Sequence, residues 1–175
     1  MNLKRKPRGF TLVEILVVIV IIAVLAAISY PIMGNYIARA KQATCMTKLR
    51  SLGIAMETYL QDHNRRMPDI ASARPSKDSD VEVIETVLKP YLPGEDAFQC
   101  PADTKQFGKT GSSYLWNSSL SGQLASNLSF LNVDGRPQLI PLIADKEGWH
   151  PGPKNTNILY ADLSASSDLR FVTTP

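Results

Sequence analysis

Residues 9–30 have the sequence GFTLVEILVVIVIIAVLAAISY and follow a basic segment at positions 4–8. Between positions 10 and 30 the polar side chains are Thr11, Glu14 and Ser29. A helix rises about 1.5 Å per residue, so 21 residues are enough to cross a bilayer core of about 30 Å. The sequence therefore predicts a membrane-spanning helix over residues 10–30.

Glu14 is an acid within this apolar run. Inserting such a charge costs roughly 2.5–3.5 kcal/mol near the centre of a spanning helix and less toward its end, so Glu14 needs a partner. If the peptide bond after Gly9 is cut, Phe10 gains an α-ammonium group about one helical turn before Glu14. We expect the two charges to pair within one chain or between two chains, and pairing between chains would set the register of a filament.

The hexapeptide Gly9-Phe10-Thr11-Leu12-Val13-Glu14, followed by the long apolar helix, resembles the class III leader of type IV pilins and type II secretion pseudopilins. The resemblance implies that a prepilin peptidase cuts after Gly9 and methylates Phe10, and that Glu14 serves filament assembly. It extends through Pro31-Ile32-Met33-Gly34-Asn35 to about Met67-Pro68, and over this range it is most like the major pseudopilin.

Two other hypotheses explain parts of the same segment. A secretory signal peptide has a basic region, an apolar region and small residues such as Ala26-Ala27-Ile28-Ser29, but its apolar region is usually only about 7–15 residues long. Glu14 also argues against it. A simple one-helix anchor explains the apolar run but neither Gly9 nor Glu14.

The predicted organisation is a leader peptide at 1–9, a transmembrane or filament-core helix at 10–30 and a pilin-like domain at 31–175. In that domain we expect the helix to continue to about residue 64, loops over 65–137 and a β-meander over 138–172. Pro31 removes a backbone donor and Gly34 loosens the next turn, which predicts a helix kink.

The second half of the long helix is amphipathic. One face carries, three or four positions apart, Cys45, Leu49, Leu52, Met56, Tyr59 and His63. Strands are predicted at 139–144, 157–161 and 168–172, with a turn at 163–167, and residues 112–117 are typical of a short strand or turn. The amphipathic face would cover one side of this small antiparallel sheet, which gives an α+β pilin fold.

Cys45 and Cys100 are the only cysteines, so a single intramolecular disulfide is possible. It would close a loop of about 56 residues and contribute roughly 2–4 kcal/mol. Two buried free thiols are the alternative.

Asp145, Glu147 and Asp162 flank the predicted strands, and oxygen-rich loops of this kind can bind Ca²⁺. By resemblance, major pseudopilins carry a calcium site near the C-terminal sheet. The spacing matches no EF-hand, and surface acids are more often simply solvated. His150 is a metal ligand or, more simply, a packed loop residue.

The net charge of +3 depends on the leader, because the chain after residue 9 has 15 basic and 16 acidic side chains. This balance gives no support to nucleic-acid binding. By the positive-inside rule, the basic leader predicts a single-pass protein of the bacterial inner membrane with its leader in the cytoplasm and its C-terminal domain in the periplasm. Catalytic motifs are absent from the sequence, so an enzyme is not expected.

The predicted function is that of a structural subunit of a type II secretion pseudopilus, which drives protein export. The alternative is a type IV pilus for adhesion, motility or DNA uptake. Both imply self-association into a helical filament, and their partners would be the lipid bilayer, the prepilin peptidase, the inner-membrane assembly platform and minor pseudopilins. A monomeric membrane-anchored binding domain is a third hypothesis, and it predicts that Glu14→Ala does no harm.

Overall fold

The computed structural model describes residues 10–170, without the side chains of residues 31 and 32. The chain up to Ile37 and the chain from Ala38 onward form two compact units. Helix α1 (Leu12–Asp62) contributes to both units, and its end lies close to the predicted position near residue 64.

The first unit consists of the N-terminal half of α1. Its residues are mainly valine, isoleucine, leucine and alanine, and in a bilayer a helix is the local structure that pairs every backbone donor and acceptor within the segment. The helix assignment continues through residues 31 and 34. A bend at Pro31 and Gly34 therefore stays a prediction.

The C-terminal half of α1 supplies the core of the second unit. Cys45, Leu49, Leu52 and Met56 follow one another at spacings of three or four residues, and all four side chains are buried. The predicted apolar face is confirmed over these positions. It ends at His63, whose exposed ring stacks on Tyr59.

The long helix ends where the backbone adopts a left-handed conformation. Asn64 and Arg65 have φ angles of 53° and 59°, in the left-handed region that cannot continue a right-handed helix. The Arg65 amide donates to the Leu60 carbonyl and so satisfies one of the terminal carbonyl groups.

A four-stranded antiparallel sheet is the second large element. Its strands lie in the order β1 (Tyr114–Trp116), β4 (Pro141–Asp145), β5 (Ile158–Tyr160) and β6 (Ala165–Ser166). The predicted α+β, pilin-like architecture is confirmed, since a long N-terminal helix accompanies a small antiparallel sheet.

The sheet differs from the predicted meander at both ends. Strand β1 comes from the segment predicted to be a strand or turn, and it pairs with β4, so that Tyr114 lies opposite Asp145. The predicted third strand at 168–172 is wrong for residues 168–170, which are irregular, while residues 171 and 172 lie outside the described range.

The last strand forms earlier because the turn before it is tighter than predicted. Asp162 Oδ1 accepts from the amide and hydroxyl of Ser164, and the Tyr160 amide donates to the Ser164 carbonyl. This turn brings Ala165–Ser166 opposite Ile158 and Leu159 of β5.

The loops between α1 and β4 contain further short elements. They are α2 (Ile84–Val87), α3 (Gln106–Thr110), several single 3₁₀ turns, and the hairpin of β2 (Ser129–Phe130) and β3 (Val133–Asp134).

Candidate functional site

The start of α1 is held by a reciprocal pair of hydrogen bonds between Thr11 and Glu14. The Glu14 amide donates to Thr11 Oγ1 at 3.3 Å, and Glu14 Oε2 accepts from the Thr11 amide at 2.9 Å. The Thr11 hydroxyl also donates to Glu14 Oε2 at 2.9 Å. Thr11 is thus the N-cap and Glu14 the third helical residue of a capping box.

The sequence signal of this capping box is Thr-x-x-Glu before an apolar run, and it is separate from the assembly role that the resemblance implies for Glu14. The geometry gives Glu14 a second role, because its carboxylate satisfies a backbone donor that the first turn of a helix cannot satisfy. A negative charge in the first turn also interacts favourably with the helix dipole.

The side chains that follow Glu14 have no cover within the chain. Residues Leu12–Tyr30 form a helical segment of 19 residues with a mean hydropathy of 3.1, and none of it is buried within the described structure. Phe10, just before it, is 79% exposed. By length and composition this segment can cross a membrane, and such a large apolar surface in water would require a partner.

The processing site is only partly within the described range. Gly9 lies outside it, and Phe10 is its first residue. Cleavage after Gly9, methylation of Phe10 and the assembly role of Glu14 therefore stay predictions.

In the second unit, a disulfide joins Cys45 of α1 to Cys100 in the loop before α3. Both side chains are buried. This is the one intramolecular pairing that the sequence allowed, and it ties the central loops to the long helix.

Asp103 organises the loop that carries Cys100. The Cys100 amide donates to Ser113 Oγ, and the Ser113 hydroxyl donates to Asp103 Oδ2 at 2.6 Å. The same carboxylate accepts from three backbone amides at the start of α3, those of residues 105, 106 and 107. Burial acts to raise the pKa of Asp103, but these four hydrogen bonds together hold that pKa below its ordinary value.

A buried polar cluster lies beside the disulfide. His150 Nε2 is 3.7 Å from Cys100 Sγ and 3.1 Å from Asp145 Oδ2. Asp145 Oδ2 also accepts from the Asn157 amide, and Gln42 of α1 donates to the Asn157 side chain. Sequence reasoning placed His150 in a loop and Asp145 beside a strand without bringing them together. The two are close in the sequence, but Cys100 and Gln42 reach this cluster only through the fold.

The three calcium candidates occupy different surroundings. Asp145 is buried and paired with His150, whereas exposed Glu147 accepts from Gln106 and Trp149, and Asp162 stabilises the β5–β6 turn. Within residues 10–170, the ligand atoms that lie within 4.8 Å of one another belong instead to Cys45, Cys100 and His150. The structure therefore does not gather the three acids into one site.

The fold and the exposed helix together define a class: a pilin-like α+β protein whose N-terminal helix presents an uncovered apolar surface. Residues 4–30 match the family model described as the prokaryotic N-terminal methylation motif.

The chain is also similar to curated pilins. It is 42% identical to the type IV major fimbrial protein FimA of Dichelobacter nodosus over 60 residues, which are 34% of this chain and 38% of that protein. It is 40% identical to the type IV major pilin protein PilA of Myxococcus xanthus over 60 residues, which are 34% of this chain and 27% of that protein.

Through its N-terminal segment the chain is therefore similar to type IV pilins. The matched stretch covers less than half of these curated relatives' length. No solved structure matches the chain. Type IV pilins are structural proteins and not enzymes, which agrees with the predicted structural role.

Proposed function

We propose that this chain is a subunit of a helical filament, made from a membrane-anchored precursor. The proposal rests on the segment Leu12–Tyr30. It forms the C-terminal part of the matched methylation motif, and its apolar side chains are exposed. A bilayer would cover this surface before assembly, and the helices of neighbouring subunits would cover it afterwards.

Cleavage after Gly9 would prepare the helix for assembly. It removes the basic residues at positions 4–8 and leaves an α-ammonium group on Phe10. The positive-inside rule would hold those basic residues in the cytoplasm and send the second unit across the membrane.

Glu14 then links the capping box to assembly. Its carboxylate accepts both of its hydrogen bonds from Thr11 at Oε2, so Oε1 is left for the ammonium group of a neighbouring subunit. A charge-assisted hydrogen bond in an apolar surrounding is stronger than a neutral one, which would favour the register in which the two charges meet.

Substitutions at Glu14 test this role. Glu14→Gln keeps an acceptor for the capping box but removes the charge, so we expect normal insertion and strongly reduced filament assembly. Thr11→Val removes the hydroxyl but keeps the Glu14 charge, and should reduce assembly much less. The measurement is the amount of the chain in isolated filaments relative to the membrane fraction.

Ser29→Ala is the matched control, because Ser29 is another polar residue of the apolar helix and its hydroxyl donates only to the Leu25 carbonyl of the same helix. It should assemble like the wild type. Wild-type filament levels in Glu14→Gln would refute the charge-pairing mechanism.

Two kinds of filament fit this mechanism. The names of the curated relatives, a type IV fimbrial protein and a type IV pilin, favour a surface pilus. The resemblance of residues 34–68 to the major pseudopilin favours a type II secretion pseudopilus instead. Shearing separates them, because a surface pilus would release the chain from intact cells, whereas a pseudopilus would leave it in the envelope fraction.

A further inference from the structure

The geometry around the disulfide is that of a set of metal ligands. Cys45, Cys100, His150 and Asp145 come from α1, two loops and the end of β4, and all four side chains are buried. Sulfur, imidazole nitrogen and carboxylate oxygen are the donor atoms of tetrahedral Zn²⁺ sites.

The distances from the His150 ring nitrogen agree with such a centre. In a tetrahedral zinc site the ligand bond lengths place a sulfur about 3.6 Å from an imidazole nitrogen, and that nitrogen about 3.4 Å from a carboxylate oxygen. Here His150 Nε2 lies 3.7 Å from Cys100 Sγ and 3.1 Å from Asp145 Oδ2. One ring nitrogen thus faces both of the other donor types at nearly the required separations. The two sulfurs must move apart, to about 3.8 Å, once the bond between them is broken. Asp145 must also move toward them, because its oxygens do not belong to the group of ligand atoms that lie within 4.8 Å of one another.

The cluster is also incompletely satisfied by the protein. Asp145 Oδ1 is buried and has no hydrogen-bond partner among residues 10–170. Buried polar atoms are nearly always paired, and a buried carboxylate is costly unless a positive charge compensates it. A divalent cation would supply that charge.

We propose that the reduced form of this protein binds one thiophilic divalent cation of the Zn²⁺ class through Cys45, Cys100, His150 and Asp145. The disulfide and the metal are then mutually exclusive ways of holding the Cys100 loop on α1. A dithiol reductant transfers two electrons and two protons to the disulfide, which becomes two thiols, while the reductant leaves as its own disulfide. Metal binding to the two sulfurs then releases two protons.

Co²⁺ is the probe for the test, because it reports tetrahedral thiolate ligation by its visible bands and by a sulfur-to-metal charge-transfer band. The full chain in detergent, reduced without oxygen, should bind one equivalent of Co²⁺ with these bands, and Zn²⁺ should displace it. The oxidised chain should show neither the visible bands nor the charge-transfer band. Zn²⁺ should also raise the unfolding midpoint of the reduced chain only.

His150→Ala and Asp145→Asn should each lower the Co²⁺ affinity at least about tenfold. Two matched controls should bind like the wild type: His63→Ala, because His63 is the chain's other histidine and is exposed, and Glu147→Gln, because Glu147 is an exposed neighbouring acid. If the reduced chain is unfolded without metal, Zn²⁺ should refold it. Absence of the charge-transfer band in the reduced wild type, or an unchanged band in His150→Ala, would overturn the proposal.

Discussion

A single carboxylate, that of Asp103, holds together the loop between Phe98 and β1. It accepts four hydrogen bonds, three of them from backbone amides that would otherwise be unpaired at the start of α3. Because these bonds favour the ionised form, the folded-state pKa of Asp103 lies below the pKa in the unfolded chain. The stabilisation is therefore complete above the unfolded pKa and is lost as the pH falls through the folded pKa.

Asp103→Asn should accordingly destabilise the second unit by about 1–2 kcal/mol at neutral pH. The difference from the wild type should shrink as the pH is lowered from about 7 to about 2. Chemical denaturation of the full chain in detergent at several pH values measures it. Asp96→Asn removes a carboxylate that is 81% exposed and serves as the control. A difference that stays constant with pH would show that the ionised form of Asp103 is not the stabilising one.

Two leucines adopt the left-handed backbone conformation that favours glycine, and they differ in what their side chains contact. Leu163 in the β5–β6 turn has a φ of 63°, and a methyl group added at Gly53 of α1 would lie 3.2 Å from its Cδ2. Leu131 has a φ of 49° and is 80% exposed. At position 163 packing against α1 offsets the cost of the conformation, which is about 1–2 kcal/mol.

This contrast predicts different effects for the same substitution. Leu163→Ala keeps the unfavourable backbone conformation and loses the packing, so it should destabilise the chain by about 1–2 kcal/mol. Leu131→Ala should change stability by less than about 0.5 kcal/mol. Thermal or urea unfolding compares them, and equal effects would mean that Leu163 does not anchor the turn.

At the scale of elements, α1 meets the sheet closely because of a glycine. A Cβ added at Gly53 would lie 3.1 Å from Leu159 Cδ2, in the middle of β5. That distance is tight but involves the end of a flexible side chain, so a single methyl could be accommodated by a small shift. A larger side chain could not, since protein cores have few voids.

Gly53→Leu should therefore separate β5 from α1 and destabilise the chain by about 1–3 kcal/mol, although leucine has the higher helix propensity. Gly108→Leu in α3 is the control, because nothing lies within 4 Å of the added Cβ there. The two are compared by their unfolding midpoints. A Gly53→Leu variant as stable as the wild type would contradict the close packing of α1 against β5.

Elements with strong local signals were predictable from sequence. The length and hydropathy of residues 10–30 and the periodic face from Cys45 to Met56 specify a helix without reference to any distant residue. The end of the sheet was not predictable, because residues 168–172 have an apolar pattern typical of a strand, whereas the tight turn at Asp162 pairs residues 165–166 with β5 instead. A tertiary contact at Leu163 helps to set this register, and that contact is not visible in local sequence.

Across the whole molecule, sequence information about function is concentrated at one end. The methylation motif and the similarity to curated pilins cover the N-terminal part. The candidate residues Gly9, Phe10 and Glu14 lie close together in this part of the sequence. The cluster of Cys100, Asp145 and His150 depends instead on pairing β1 with β4 and on folding two loops over α1. Sequence reasoning named these residues separately but could not assemble them.

We propose that the mature chain begins at Phe10 and enters a filament through its apolar helix. The most direct test is mass spectrometry of the N-terminal peptide of the chain isolated from the membrane and from any filament fraction. We expect a peptide that begins at Phe10 and carries one methyl group on its α-amino nitrogen. A mature chain that begins near Tyr30, or one that retains residues 1–9 in the filament, would contradict it.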